Sequence, residues 1–136
     1  MFDKLLIQNW VQNGIDSNAV TKASEWGKIL ATPNDKRGNP DGLTTSQIRN
    51  VFGELRRIQL NGYKNEKTSF LLLKPKLAYA VKRHKKEGVK LFYQLFCMAS
   101  DSVDKENLTI GEKHFEHLMN IMEAVLAYHK FHSDKE

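Results

Sequence analysis

Apolar positions recur at helical spacing along five stretches of this chain, and turn residues separate them. Phe2, Leu5, Leu6 and Val11 suggest a short first helix that Asn13-Gly14 ends. Ala19, Ala23, Trp26 and Leu30 mark a second, capped by Asp16 or Ser17. Thr32 to Gly42 is rich in Pro, Asn, Asp and Gly and reads as an irregular surface loop. Thr44 with Gln47 three residues on fits a capping box, announcing a third helix with Ile48, Val51, Phe52, Leu55 and Ile58 inward. Asn61-Gly62 stops that helix. Tyr63 to Lys74 reads as a Lys-rich connection, with Phe70 to Leu73 as an extended segment pinned on the bundle or a short strand.

Pro75 then predicts the start of a fourth helix, because its missing amide is harmless in a first turn. Leu77, Ala80, Val81, His84, Gly88, Leu91, Phe92, Leu95, Met98 and Ala99 hold one phase, which predicts a single long helix to about Ser100. A loop follows, and a last helix from about Gly111 to His132 turns Phe115, Leu118, Met119, Met122, Val125 and Leu126 inward. The expectation is an all-α protein: a small helical bundle of about five helices, the fourth and fifth long, in one domain spanning residues 1–136.

At 136 residues, one domain with one core is the natural division. The balance of 40% hydrophobic and 27% charged residues is that of an ordinary globular chain rather than a disordered one. The lone Cys97 excludes an internal disulfide and the cysteine-rich metal fingers, which points to a reduced, cytoplasmic setting. The patchy N-terminus is no signal peptide, and no stretch approaches membrane-spanning length.

The distribution of charge changes the picture more than the net +5. Arg49 to Lys90 holds 12 Lys/Arg against three Asp/Glu, a local net charge of +9, while the remaining nine basic and 13 acidic residues leave −4. Such asymmetry fits a polyanion-binding face, or simply solvated lysines. On the fourth helix Lys76, Tyr79, Lys82, Arg83, Lys86 and Lys90 share the side opposite the core stripe, with Glu87 the only acid nearby. Crowded cations repel one another unless an anion joins them. A phosphate backbone would do so while releasing counterions, and Tyr79 would stack on a base or donate to a phosphate.

On the third helix Arg49 and Arg56 lie seven residues apart, nearly in line, with Gly53 between them. A helical glycine costs about 0.5–1 kcal/mol relative to alanine, so close approach by a neighbouring helix or a ribose-phosphate backbone is the motive to test. The two guanidinium forks suit phosphate oxygens; Arg57 points further outward.

Signals for catalysis are weak. His114 with His117, and His129 with His132, have the spacing of three that can bring two imidazoles together, yet no HExxH motif is present. No Arg has a His four to six residues later, as one class of helical ribonuclease requires, and no phosphate-binding glycine loop precedes a helix. Cys97 lacks a paired base. No catalytic residue, metal site or cofactor is expected. The last helix carries a second apolar line, Ile121, Ala124, Tyr128 and Phe131, which fits either a central helix or one covered by another chain.

Three segments, Leu43-Thr44-Thr45-Ser46-Gln47-Ile48-Arg49-Asn50, Leu71-Leu72-Leu73-Lys74-Pro75-Lys76-Leu77-Ala78-Tyr79-Ala80 and Phe115 through Tyr128, resemble the small-subunit family of the type III-A (Csm) CRISPR effector complex. The resemblance implies an all-α subunit without enzymatic activity that self-associates and stacks as a short inner filament. It also implies contact with guide RNA and target RNA, beside the other subunits of the Csm effector. Carried over by motif, Arg49, Lys76 and Tyr79 are the RNA-binding candidates, and Arg83 follows by position. Arg56, Lys82 and Lys86 come from the helical-face reading alone. Such contacts should be indifferent to sequence, since base pairing reads the target. The alternatives are the small subunit of the type III-B complex, or a basic helical protein–protein adaptor or DNA-binding regulator.

Overall fold

The computed structural model describes residues 2–32 and 41–133. Most of the stretch read as an irregular loop therefore lies outside the described residues. Six helices stand among them: α1 (Lys4–Asn13), α2 (Ser17–Ala31), α3 (Thr45–Asn61), α4 (Lys67–His84), α5 (Glu87–Asp101) and α6 (Leu108–His132). The described residues include no strand. The all-helical class expected from the pattern is the one observed, with six helices in place of about five.

Local chemistry sets most of the ends. Asp3, Asp16 and Asn107 each accept a hydrogen bond from an amide of the first turn, on Leu6, Ala19 and Ile110. Thr44 and Gln47 close the capping box, Gln47 N–H to Thr44 Oγ1 at 3.3 Å and Thr44 N–H to Gln47 Oε1 at 2.8 Å. Gly14 and Gly62, at φ of 101° and 94°, end α1 and α3 in a region that side chains disfavour.

Two boundaries differ most from the sequence reading, and α6 also starts at Leu108 rather than at about Gly111. The segment taken as an extended connection is the front half of α4, and Pro75 sits inside that helix rather than at its start. A proline there forfeits a backbone bond at about 3 kcal/mol. Phe70, Leu73 and Leu77 are buried, each contributing about 1.5–3 kcal/mol, and so outweigh that loss. Pro75 and Leu71 are both exposed.

The long fourth helix is also two helices. Lys85 adopts a left-handed conformation at φ 54°, its N–H bonded to the Val81 carbonyl, and α5 begins two residues later. The break is imposed from a distance. Asp41 accepts the Glu87 N–H on its side chain at 2.7 Å and the Gly88 N–H on its carbonyl at 2.9 Å. Gly88 is buried where any Cβ would collide with the backbone of Leu43.

Helix α6 runs through the middle and packs against α1, α2 and α3. Phe115, Leu118, Met122 and Val125 on it are fully buried. Tyr63 stacks on Phe115 with centroids 5.4 Å apart, and Phe70 meets both rings edge-on, fastening the α3–α4 turn to the core. At the other end, Trp26 meets Phe2 and Trp10 with both centroids at 5.6 Å, joining α1 to α2. A Cβ on Gly27 would stand 2.6 Å from the His129 nitrogen, so α2 and α6 approach as closely as glycine permits.

The second apolar line on α6 is therefore largely taken up by the chain itself. Ile121 is in the core, and Ala124 and Tyr128 are half-buried against it, Tyr128 facing Gly27. Ile121 is corrected from a subunit contact to a core residue, because α6 is the central helix. Phe131 alone of the four is open, at 77% exposure.

Candidate nucleic-acid interface

Helices α3 and α4 form an antiparallel pair whose facing sides do not close completely. Between them lies a groove of about 270 Å³ lined by Asn50, Val51 and Glu54 from α3 and Leu73, Lys76, Leu77 and Ala80 from α4. Its floor is aliphatic and its rim polar. A smaller cavity of about 80 Å³ shares Asn50, Val51, Leu77 and Ala80 and reaches Leu43, His84 and Phe92.

The α4 lip of this groove is cationic. Lys76 lines it, and Arg83, seven residues on, lies within about 20° of the same direction. Tyr79 stands further outward, 66% exposed, and Lys82 is also exposed. None of Lys76, Lys82 and Arg83 has a carboxylate within ion-pair distance among the described residues.

The one acid among the described residues of the groove is already neutralised. Both oxygens of Glu54 accept hydrogen bonds from the Arg57 guanidinium, at 3.1 and 2.8 Å. Those bonds foremost, with the nearby charges of Arg57 and Lys76, hold the Glu54 carboxyl below the usual carboxylate range. A third Arg57 nitrogen reaches Glu66 at 2.9 Å. Arg57 is thus committed within the chain. Lys74 is likewise paired, with Asp101 at 2.6 Å.

Arg49 and Arg56 occupy a different flank. Arg56 lies 3.8 Å from Glu123 of α6, bonds Gln59 and sits 5.2 Å from the centroid of the Phe52 ring. Gln59 beside it donates to Glu116 of α6. Arg49 is nearly in line with Arg56, so it too projects from the α6 side of α3, about 100° round from Asn50 at the groove. Arg49 is exposed and has no ion pair among the described residues. The cations of the two helices consequently do not make one continuous strip: α3 is wedged between α4 and α6, and its flanks serve different neighbours.

Gly53 faces out between those flanks, and a Cβ built there meets nothing within 4 Å. No neighbouring helix among the described residues explains it. Lys86 and Lys90 fall beyond the break, Lys86 in the N-cap of α5 and Lys90 on its first turns, so neither continues the register of α4.

Three histidines of α6, His114, His117 and His129, tie that helix to other segments. His114 Nδ1 accepts the Asp104 N–H at 3.0 Å, His117 Nδ1 lies 2.8 Å from the Val11 carbonyl, His129 Nε2 lies 2.5 Å from the Leu43 carbonyl, and His132 stacks on Tyr128. Burial pushes His114 and His129 down from the ordinary imidazole value. Among the described residues no group of three His, Cys, Asp or Glu is placed to hold a metal ion. No described helix is long and apolar enough to cross a membrane.

Sequence reasoning passed over Asn50 and Glu54 as groove residues. Their signal is spacing: 50, 51 and 54 on α3 match 73, 76, 77 and 80 on α4 once the two helices are read as a hairpin. Taking Phe70 to Leu73 as extended hid that match.

The described residues thus form an all-helical protein in which a basic lip, without an ion pair among them, borders an apolar groove. The family model described as Csm2 Type III-A matches residues 16–135, and the chain belongs to that family. It is a structural small subunit of the type III-A CRISPR effector complex, and membership implies association with the other Csm subunits. No curated protein and no solved structure matches the chain.

Proposed function

We propose that this Csm small subunit holds guide and target RNA by the phosphate backbone, without sequence preference and without catalysis, in cytoplasmic antiviral defence. The observation that carries the reading is the α4 lip. Lys76 and Arg83 stand two turns apart in one direction with Lys82 nearby, and no described carboxylate pairs with them. Tyr79 supplies an exposed ring on the same helix. Arg49 adds a separate contact across the bare face of α3 at Gly53, so that a strand crossing that face meets both flanks. Arg56 is already engaged with Glu123 and contributes less. Lys86, turned out of register by the break, contributes least.

Each exposed contact is weak by itself, and affinity accumulates when several copies act on one strand. Self-association and stacking as an inner filament belong to the same proposal, with Phe131 as the exposed aromatic that α6 offers a second copy.

Fluorescence anisotropy with unrelated single-stranded RNAs across a salt series tests the reading. Expected are weak binding, similar affinity for every sequence, and a steep loss with salt whose slope falls by about 0.7 per phosphate contact removed. Arg83→Glu lowers affinity more than Arg56→Glu. A flat salt response, or strong preference for one duplex DNA, rejects the proposal.

A further inference from the structure

We propose that the groove between α3 and α4 receives one unstacked nucleobase, whose ribose-phosphate lies along the Lys76–Arg83 lip. The inference rests on the RNA reading above and specifies what the groove adds to it.

Charge selects the kind of occupant. The lip is cationic, and the only acid among the described lining residues has both oxygens held by Arg57. The ligand must therefore bring negative charge beside an apolar body. Shape narrows it further. Val51, Leu73, Leu77 and Ala80 make an aliphatic floor in about 270 Å³. That is just under the roughly 300 Å³ at which drug-sized pockets begin. The space suits one planar ring system and is too small for a helix about 10 Å across. A nucleotide joins these two properties in one unit.

The rim also fits a guide whose sequence varies. Asn50 is exposed at the groove edge, and its amide carries both a donor and an acceptor. Turning the amide over reverses the two, so it satisfies either kind of base edge and selects none. Tyr79, one turn beyond Lys76, presents its ring to the adjacent base. An uncharged protein side chain would satisfy the floor yet leave Lys76 and Arg83 without counter-charge.

Photocrosslinking tests this. The full chain is irradiated with single-stranded RNAs carrying 4-thiouridine, adducts are mapped by mass spectrometry, and affinity is followed in parallel by anisotropy. Nucleotide adducts are expected on the segments 50–54 and 73–80. Ala80→Phe fills the groove and should weaken binding roughly fivefold, through loss of one buried apolar contact, while the salt slope stays as in the wild type. Asn50→Ala, at an exposed position, should reduce the groove adducts without disturbing the helical circular dichroism. Bound RNA with adducts confined elsewhere, or an Ala80→Phe variant that binds like wild type, overturns the base site and leaves backbone binding standing. Absent groove adducts together with an Ala80→Phe variant that no longer assembles with other Csm subunits would assign the groove to a protein segment and also overturn it. A wild-type chain that binds no RNA removes both proposals at once.

Discussion

Asp41 and Glu87 are 46 positions apart in the chain, yet the carboxylate of one caps the helix that the other begins, at 2.7 Å. The α4–α5 break is therefore a tertiary feature. Loss of a capping carboxylate costs about 1 kcal/mol, and Asp41 also anchors the segment leading into α3. Asp41→Ala should lower the urea midpoint accordingly, whereas Asp41→Asn keeps the acceptor and most of the stability. Equal midpoints for Asp41→Ala and wild type, at unchanged m value, would contradict this role.

Two helical glycines should respond in opposite directions. A Cβ at Gly88 collides with the backbone of Leu43, which cannot withdraw without shifting the start of α3. Gly88→Ala should destabilise by about 1–3 kcal/mol, the range for overpacking. At Gly53 the same change meets open space. Gly53→Ala should therefore stabilise by about 0.5–1 kcal/mol through helix propensity. Thermal melts of the two variants give the signs directly.

Acid should weaken the fold through His129. Its ring is fully buried, with Nε2 donating to the Leu43 carbonyl and Nδ1 without a hydrogen-bond partner among the described residues. Burial drives its pKa below the ordinary 6.5, outweighing the opposing effect of the Leu43 carbonyl. Above that ordinary value the imidazole is neutral folded and unfolded, and stability is complete. As pH falls below it, the unfolded chain takes up the proton first and the native state loses ground until its own lower pKa is reached. His114, shifted the same way, adds to the loss. Urea denaturation at pH 7.5 and pH 5.5, bracketing about 6.5, should show lower stability at the acid value. His129→Gln should show a smaller difference. An unchanged difference in that variant would assign the acid sensitivity elsewhere.

Features fixed by neighbouring residues were legible in the sequence, and features fixed by distant ones were not. Thr44 with Gln47, Asp16, Asn13-Gly14 and Asn61-Gly62 mark helix ends by bonds or dihedrals within a few positions, and each end stands where its residues say. Lys85 carries no glycine or proline to announce a break. The cause is Asp41 and Leu43 arriving from far upstream, and the apolar phase through Gly88 hides it. Pro75 misled in the opposite direction, since a residue that starts helices was tolerated in the middle of one by the burial of Phe70, Leu73 and Leu77. For the candidate site, spacing placed Lys76, Tyr79, Lys82 and Arg83 on the outer part of one helix. It placed Arg49 and Arg56 on a common side of another. The rotation of α3 between α4 and α6 separates those sets, and no periodicity within α3 encodes it.

Both tryptophans of the chain, Trp10 and Trp26, meet in the α1–α2 contact, and neither belongs to the α3–α4 hairpin. Intrinsic indole emission consequently reports the integrity of the amino-terminal packing and is nearly blind to events at the groove. An optical titration of that region requires a reporter placed on the hairpin, and a quiet tryptophan signal during mixing is compatible with a full groove and an empty one alike.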